Sequence, residues 1–401
     1  MTISETHKPN MFSGRLRTMS LRYVLFTVTL LSFVFASSPS SASSAGSDFG
    51  SSLPFQDSPA HRTLFAGPLV GHVTPTSISV WLKTTPGKVT LTAWPQKDPI
   101  ARISTQAEAS AKDQGCLTIT LQGLQPNTLY RYSFDVQDTS EGQLARTAPK
   151  PESTDPVTLA FVSCARQDKV TAASFDAIAA RPIDVLLCIG DTPYIDTTDL
   201  EVQRQRYIDF NTFPSFAAIA RRTPIISTWD DHDFGRNDTN GKLKGKENSR
   251  QAFMEHRPNP SFGDGESTGI YTSFRRGPVE VFMIDARYYA ATEPSPADPK
   301  KPTLLGVAQY QWLTRSLKSS SAPVKLLVTG MVWNASVRPT KTDHWGNYAH
   351  ERDALFRFIG KNKISGVVLV GGDIHRSRVI RHPTTDLAGY PLIEFISSPI
   401  H

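Results

Sequence analysis

Five apolar stretches in the second half of the chain end in residues that bind cations or move protons. Residues 157–162 run into Ser163 and Cys164, 184–189 into Gly190, Asp191 and Tyr194, and 224–228 into Trp229, Asp230, Asp231, His232 and Asp233. Residues 279–284 run into Asp285 and Arg287, and 367–370 into Gly371, Gly372, Asp373 and His375. Were these tips to meet in a partly buried crevice, desolvation and mutual repulsion would protonate several of the carboxylates unless cations were present. Hard oxygen donors beside a thiol, a phenol and imidazoles suit two kinds of ion: Ca²⁺ or a similar cation on the carboxylate side, and a stronger Lewis acid such as Fe³⁺ at Tyr194 and Cys164. Singly each residue has a plainer explanation, Asp191 or Asp373 as a helix N-cap and Cys164 as an inert buried thiol. The repeated placement after a strand is what points to a site.

The elements that must present these tips follow from periodicity. Buried strands of four to seven residues alternate with helical stretches such as Phe175, Ile178 and Ala179, or Leu355, Phe356, Phe358 and Ile359. That grammar predicts an α/β domain over 157–401 with an at least partly parallel sheet, whose strand ends would converge on one crevice. Ahead of it, Ile78, Val80 and Leu82, then Val89, Leu91 and Ala93, then Leu117, Ile119 and Leu121, then Tyr130, Tyr132, Phe134 and Val136 repeat with period two. Short alternating strands between Pro and Gly turns predict an antiparallel β-sandwich over 64–138. Residues 124–132, which include Pro126, Thr128, Tyr130 and Tyr132, resemble the corner motif of fibronectin III modules. Residues 139–156, polar and Pro-containing, read as a linker.

Half of the net charge of +6 comes from the first 45 residues, where Lys8, Arg15, Arg17 and Arg22 face only Glu5. What remains argues for no nucleic-acid partner. The basic stretch precedes an apolar run at 24–36 and small residues to position 45, the order of a Sec-type signal peptide, so a secreted or periplasmic protein is expected. The run is short of the ~20 residues that span a bilayer, and no stable membrane anchor is expected. Residues 46–63 form a Ser-rich flexible linker. Three cysteines, Cys116, Cys164 and Cys188, exclude a disulfide-built scaffold and leave at least one thiol free.

The tract from Phe161 to Ser398 resembles the alkaline phosphatase D (PhoD-like) family of secreted metallophosphatases. The matching pieces are Ser163-Cys164, Gly190-Asp191-x-x-Tyr194, Trp229 to Asp233 with Asn237, Asp285-x-Arg287, Leu305-Gly306-x-x-Gln309-x-x-Trp312-Leu313, Asp343-x-Trp345-x-x-Tyr348 with Arg352, and Gly372-Asp373-x-His375. The resemblance implies an α/β metallophosphatase-like sheet domain behind a small β-module, and an exported phosphatase or phosphodiesterase with an Fe³⁺ and Ca²⁺ centre. It carries iron to Cys164, Asp191 and Tyr194, with Asp191 able to bridge to calcium, and assigns Asp230, Asp231, Asn237, Asp373 and His375 to the centre without dividing them between the ions. Relatives continue past the position of His401, so a C-terminally short domain is expected.

Such a centre hydrolyses esters by in-line displacement, with a metal-activated water as nucleophile. Arg287 is the candidate bidentate phosphate contact, its alternative being an internal pair with Asp285. His232 is the candidate proton donor to the leaving group, its alternatives an orienting or ligating role. The substrate is expected to be a small or polymeric phosphate ester. Gly190-Asp191-x-x-Tyr194 also occurs in purple acid phosphatases, but their Gly-Asn-His-Glu and Gly-His-x-His are absent, which places them second. A secreted binding protein with an inactive site is the reading from another class.

Overall fold

The computed structural model describes residues 62–136, 141–265 and 268–401. The expected signal peptide, and all but the last two residues of the Ser-rich linker, lie outside them.

Alternating apolar residues build the first layer pair. Strands β1 (Leu64–Val73), β2 (Ser77–Thr84), β3 (Gly87–Pro95), β4 (Ile103–Ala109), β5 (Cys116–Gln122), β6 (Leu129–Phe134) and β7 (Gln143–Arg146) form two sheets, ordered β1-β2-β5 and β4-β3-β6-β7. Their inward residues, among them Val80, Leu82, Leu91, Ile119, Tyr130 and Phe134, make one core. The corner closes as such modules require: the Tyr130 hydroxyl accepts a hydrogen bond from the Gln125 amide at 2.9 Å. Strand β7 lies inside the segment expected to be a linker. Its residues pair with β6 from Leu129↔Arg146 to Tyr132↔Gln143, and an edge strand of four residues with one fully buried side chain leaves almost no period-two signal.

In the second half, β8 (Leu159–Val162), β9 (Val185–Ile189) and β10 (Ile225–Thr228) form a parallel sheet ordered β10-β9-β8. Strands β11 (Thr272–Arg276), β12 (Val279–Met283), β13 (Val324–Val328), β14 (Val367–Gly371), β15 (Arg378–Arg381) and β16 (Ile393–Ile396) form a second sheet ordered β11-β12-β13-β14-β16-β15, parallel except for its two edge strands. The five tips therefore rise from two sheets and not from the single crevice of one. Period two explains this: Val185, Leu187 and Ile189 of β9 face Val281, Met283, Leu326 and Val328 of the other sheet. Leu186 and Cys188 face the opposite way, onto Phe175, Phe210, Phe216 and Ile219 of helices α1 (Lys169–Ala179), α2 (Leu200–Asn211) and α3 (Pro214–Ala220). Helices α4 (Asp231–Phe234) and α5 (Lys246–His256) follow β10. Helices α6 (Gly306–Ser319) and α7 (Ala349–Lys361) cover the far face through Leu313, Leu317, Leu355 and Phe356, and α8 (Thr385–Ala388) precedes β16. The result is a helix, sheet, sheet, helix stack.

The β-module is docked against this stack. Trp81 donates Nε1–H to the Glu255 carbonyl at 2.7 Å, the Tyr132 hydroxyl donates to the Arg221 carbonyl at 2.6 Å, and the His72 amide donates to the Pro258 carbonyl at 2.9 Å. Trp81 and Cys116 also share a core with Phe175. All three cysteines are free and buried. Burial raises the Cys116 and Cys188 thiols to about 11, so both stay protonated and inert. Among the described residues no helix is long and apolar enough to cross a membrane.

Candidate metal centre

The parallel strands of both sheets end on the same side, and the turns that follow crowd together. Two glycines make this possible. A Cβ on Gly190, at φ +104°, would sit 2.4 Å from the Cβ of Asp230, and one on Gly330, just past β13, would sit 2.6 Å from the same atom. Gly190→Ala is therefore expected to destabilise the protein by roughly 2–3 kcal/mol through backbone strain and overpacking, read as a lower thermal midpoint. Four of the expected donors stand in the left-handed region, Cys164 at φ 55°, Asp191 at 53°, Asp373 at 66° and His375 at 52°. L-residues avoid that conformation, and a cluster of it marks a place where side-chain direction has overruled backbone preference.

These turns bring most of the sequence-assigned ligands together. Cys164, Asp191 and His375 each offer a donor atom within 4.8 Å of the other two, as do Asp191, Asp231 and His232, then Asp230, Asp231 and Asp373, then Asp231, Asp238 and Asp343. Shared members link the four groups into one run from the thiol to the Asp343 carboxylate. At its first end Sγ of Cys164 lies 3.4 Å from Oδ2 of Asp191 and 3.1 Å from Oγ of Ser398. The Tyr194 hydroxyl lies 3.1 Å from Nε2 of His375. Asn237, expected as a ligand, is exposed in the loop after α4, where its neighbour Asp238 enters the run instead; the Asp238 amide donates to Oδ2 of Asp231 at 2.6 Å.

The electrostatics disfavour bare carboxylates here, so these groups either keep their protons or face a cation. Burial, then the charges of Asp231 and Asp233, push the Asp191 carboxyl well above the usual range, and burial does the same to Asp230 against the pull of Arg287. Burial and then Asp191 raise the Cys164 thiol; burial, then Cys164 and Asp191, raise the Tyr194 phenol. Asp231 is held below its ordinary value, because Arg287 and the Asp238 amide outweigh its burial. One oxygen, Oδ2 of Asp230, is buried with no hydrogen-bond partner, an expensive arrangement unless an ion faces it. The donor set fits metal ions on these grounds.

Not every acidic tip takes part. Asp233 accepts from the Asp230 amide at 2.5 Å and the Thr192 amide at 3.4 Å. Asp285 accepts from the amides of Ile270, Arg287 and Tyr288 and from Nε1 of Trp229. Gln309 brackets the Asp285 backbone with two hydrogen bonds of 2.8 Å. These groups hold the loops in place.

Arg287 does not present the free fork expected of a phosphate contact. It is 1% exposed. Nε donates to Oδ1 of Asp230 at 2.7 Å, and the same oxygen lies 2.5 Å from Nη2. Nη1 donates to the Thr239 carbonyl and to Oδ1 of Asp343, and Nη2 to Oδ2 of Asp343. The bidentate partner is a carboxylate of the chain, and it is Asp343 and not Asp285, which uses its oxygens on backbone amides. Nor is the Lys246 ammonium available to a substrate: it donates to the carbonyls of Gly241 and Tyr288.

Besides Asp238, sequence reasoning missed the roles of three residues here. Asp196 accepts the Nδ1 side of His232 at 2.5 Å while its own amide donates to the His232 carbonyl at 3.0 Å. The residue is thus tied once through its ring and once through its backbone, and the carboxylate at Nδ1 fixes a proton there and leaves Nε2 for other work. Its spacing two residues after Tyr194 was the available signal. Asp343 was visible inside a motif, without its partner. His401 packs its ring 5.1 Å from that of His375 and 6.1 Å from that of Tyr194, and nothing in the sequence announced it.

The PhoD-like phosphatase family profile matches residues 159–401, more than half of the chain. The chain belongs to this family. Alkaline phosphatase D of Bacillus subtilis (strain 168) is 27% identical over 309 residues, a match that covers 65% of this PhoD-like chain but 53% of that relative. The chain thus spans about half the length of the relative it matches. A solved structure of PhoD superposes with a TM-score of 0.69 at 22% identity, covering 83% of this chain and 76% of that one. A purple acid phosphatase from yellow lupin seeds superposes with a TM-score of 0.59 at 13% identity, covering 82% and 63%. At such identities these likenesses concern the fold, a β-sandwich followed by an α/β metallophosphatase-like domain.

Proposed function

We propose that this PhoD-like protein is an exported, metal-dependent hydrolase of phosphate esters, with Fe³⁺ held by Cys164, Asp191, Tyr194 and His375 and Ca²⁺ held on the side of Asp230, Asp231 and Asp373. The observation that carries the reading is the continuous run of donors around the orphaned oxygen of Asp230. Softer donors gather at one end and carboxylates alone at the other, which separates the two ion types by chemistry. When bound, such ions supply Lewis acidity toward a water and toward phosphoryl oxygens. The chain supplies the rest. Arg287 and Asp343 hold Asp230 in place, and the Tyr194 hydroxyl and His375 steady each other. His232, its Nδ1–H donated to Asp196, acts in its doubly protonated form: it gives the Nε2 proton to the departing alkoxide and is left as the neutral Nδ1–H imidazole. The basic stretch, apolar run and small residues within 1–45, read as a signal peptide, support export.

Purified protein is expected to contain iron and calcium by elemental analysis and to hydrolyse bis-p-nitrophenyl phosphate at alkaline pH, with chelation abolishing turnover. Metal removal has a pH signature in stability as well. Folding raises the carboxyls of Asp191 and Asp230, and raises Asp233 to about 7, above their unfolded values near 4. In the metal-free protein their contribution is complete below about pH 4 and is lost as pH climbs through the folded values. Cations reverse this by favouring the anions. Chelation is thus expected to lower the thermal midpoint by about 5–10 °C at pH 8, for two ions each at roughly a hundred times its Kd, and by under half of that at pH 5. Protein with neither ion and no hydrolysis would leave the binding-protein reading standing.

A further inference from the structure

Three guanidinium groups reach the donor run, and two of them are taken. Arg287 is spent on Asp230 and Asp343, and Arg338 is paired with Asp373. The third, Arg166, stands two residues beyond Cys164 in the loop after β8 and is exposed. Its guanidinium carbon lies 5.2 Å from the centroid of the Tyr194 ring, and no described residue accepts a hydrogen bond from it. Its charge is felt by both Tyr194 and His375. The Tyr194 ring in turn stands 4.5 Å from that of His232, so the cation overlooks the place where ligands and proton donor meet. A guanidinium held over an aromatic face keeps its in-plane donors available, in a fork that fits two oxygens of a phosphate.

We infer that Arg166, and not Arg287, is the side chain that grips the substrate's phosphoryl group, donating to non-bridging oxygens on the open side of the centre. This rests on the reading of the protein as a phosphate-ester hydrolase and adds a specificity to it. A phosphomonoester dianion presents more charge and one more terminal oxygen to the same cation than a diester monoanion does, so Arg166 favours monoesters. A lysine keeps the charge and loses the fork.

The test uses the metal-loaded protein, with p-nitrophenyl phosphate, bis-p-nitrophenyl phosphate and inorganic phosphate as probes. In Arg166→Gln, KM for the monoester and the inhibition constant of inorganic phosphate are expected to rise about tenfold, with KM for the diester rising about threefold or less. Iron and calcium content and thermal midpoint stay at the parent's values, and Arg166→Lys recovers part of the loss. Unchanged constants in an active Arg166→Gln protein overturn the inference alone. Equal losses on both esters, accompanied by lost metal, also overturn it, since they mark a structural role. Should the parent hydrolyse neither ester, the functional reading fails; calorimetric titration with inorganic phosphate then decides on Arg166, tighter binding to parent than to variant supporting the contact and equal binding removing it.

Discussion

Cys164→Ala is expected to leave a folded protein with on the order of a thousandth of the parent's turnover on bis-p-nitrophenyl phosphate, about 4 kcal/mol of lost transition-state stabilisation, and with most of its iron gone. The side chain is fully buried, at a left-handed backbone position, with Sγ facing Oδ2 of Asp191. Burial and that carboxylate raise the thiol, so it has no use as a nucleophile or acid in a metal-free pocket. A cation in place of its proton would offset both the burial of the sulfur's charge and the repulsion from Asp191. Alanine removes one sulfur from a polar cluster, not a methylene from the apolar core, so stability should change little. Tyr194→Phe removes only the hydroxyl that meets His375 and is expected to act in the same direction. Elemental analysis and turnover check both, and full iron with parent activity in the two variants would take Cys164 and Tyr194 out of the site.

The candidate site was legible in the sequence at the ends of β8, β9, β10 and β14, where a buried strand runs into donor residues that gather in the structure, whereas Asp285 after β12 carries the same signal and only holds loops. Burial and a polar tip are both local properties, and strand β13 escaped for lack of the second: it ends in Thr329, Gly330 and Met331, with no donor, although Gly330 gives Asp230 its room. Strand β4 also escaped, as an edge strand with a largely polar, half-exposed face. Partnership over distance was not legible at all. Asp285 and Arg287 are neighbours in sequence and suggest a pair, yet the Arg287 fork closes on Asp343, 56 positions away. Nor could period two reveal that the tips come from two sheets, since a strand buried on both faces reads alike whether its neighbours are helices or a second sheet.

That misread arginine carries the largest expected effect on stability. Arg287→Ala should destabilise the metal-free protein by about 3–5 kcal/mol at pH 8, because it strands Asp230 and Asp343 in a buried space without their counter-ion. Arg287 itself is pushed well above its ordinary value, the attraction of Asp230 and Asp343 exceeding the cost of burial. Without that cation burial acts unopposed, and the folded carboxyl of Asp230 rises further above its unfolded value. A raised folded pKa contributes stability at low pH that is lost as pH climbs. The deficit should therefore shrink at pH 5, where the stranded carboxyls take up protons. Urea unfolding midpoints of parent and variant at the two pH values measure this. Arg287→Met combined with Asp343→Leu should recover part of the loss at pH 8, since replacing both partners of a buried pair costs less than removing one. A phosphate-contact arginine would behave otherwise: its removal would relieve no buried pair, leave the midpoints together at both pH values, and appear only in substrate binding.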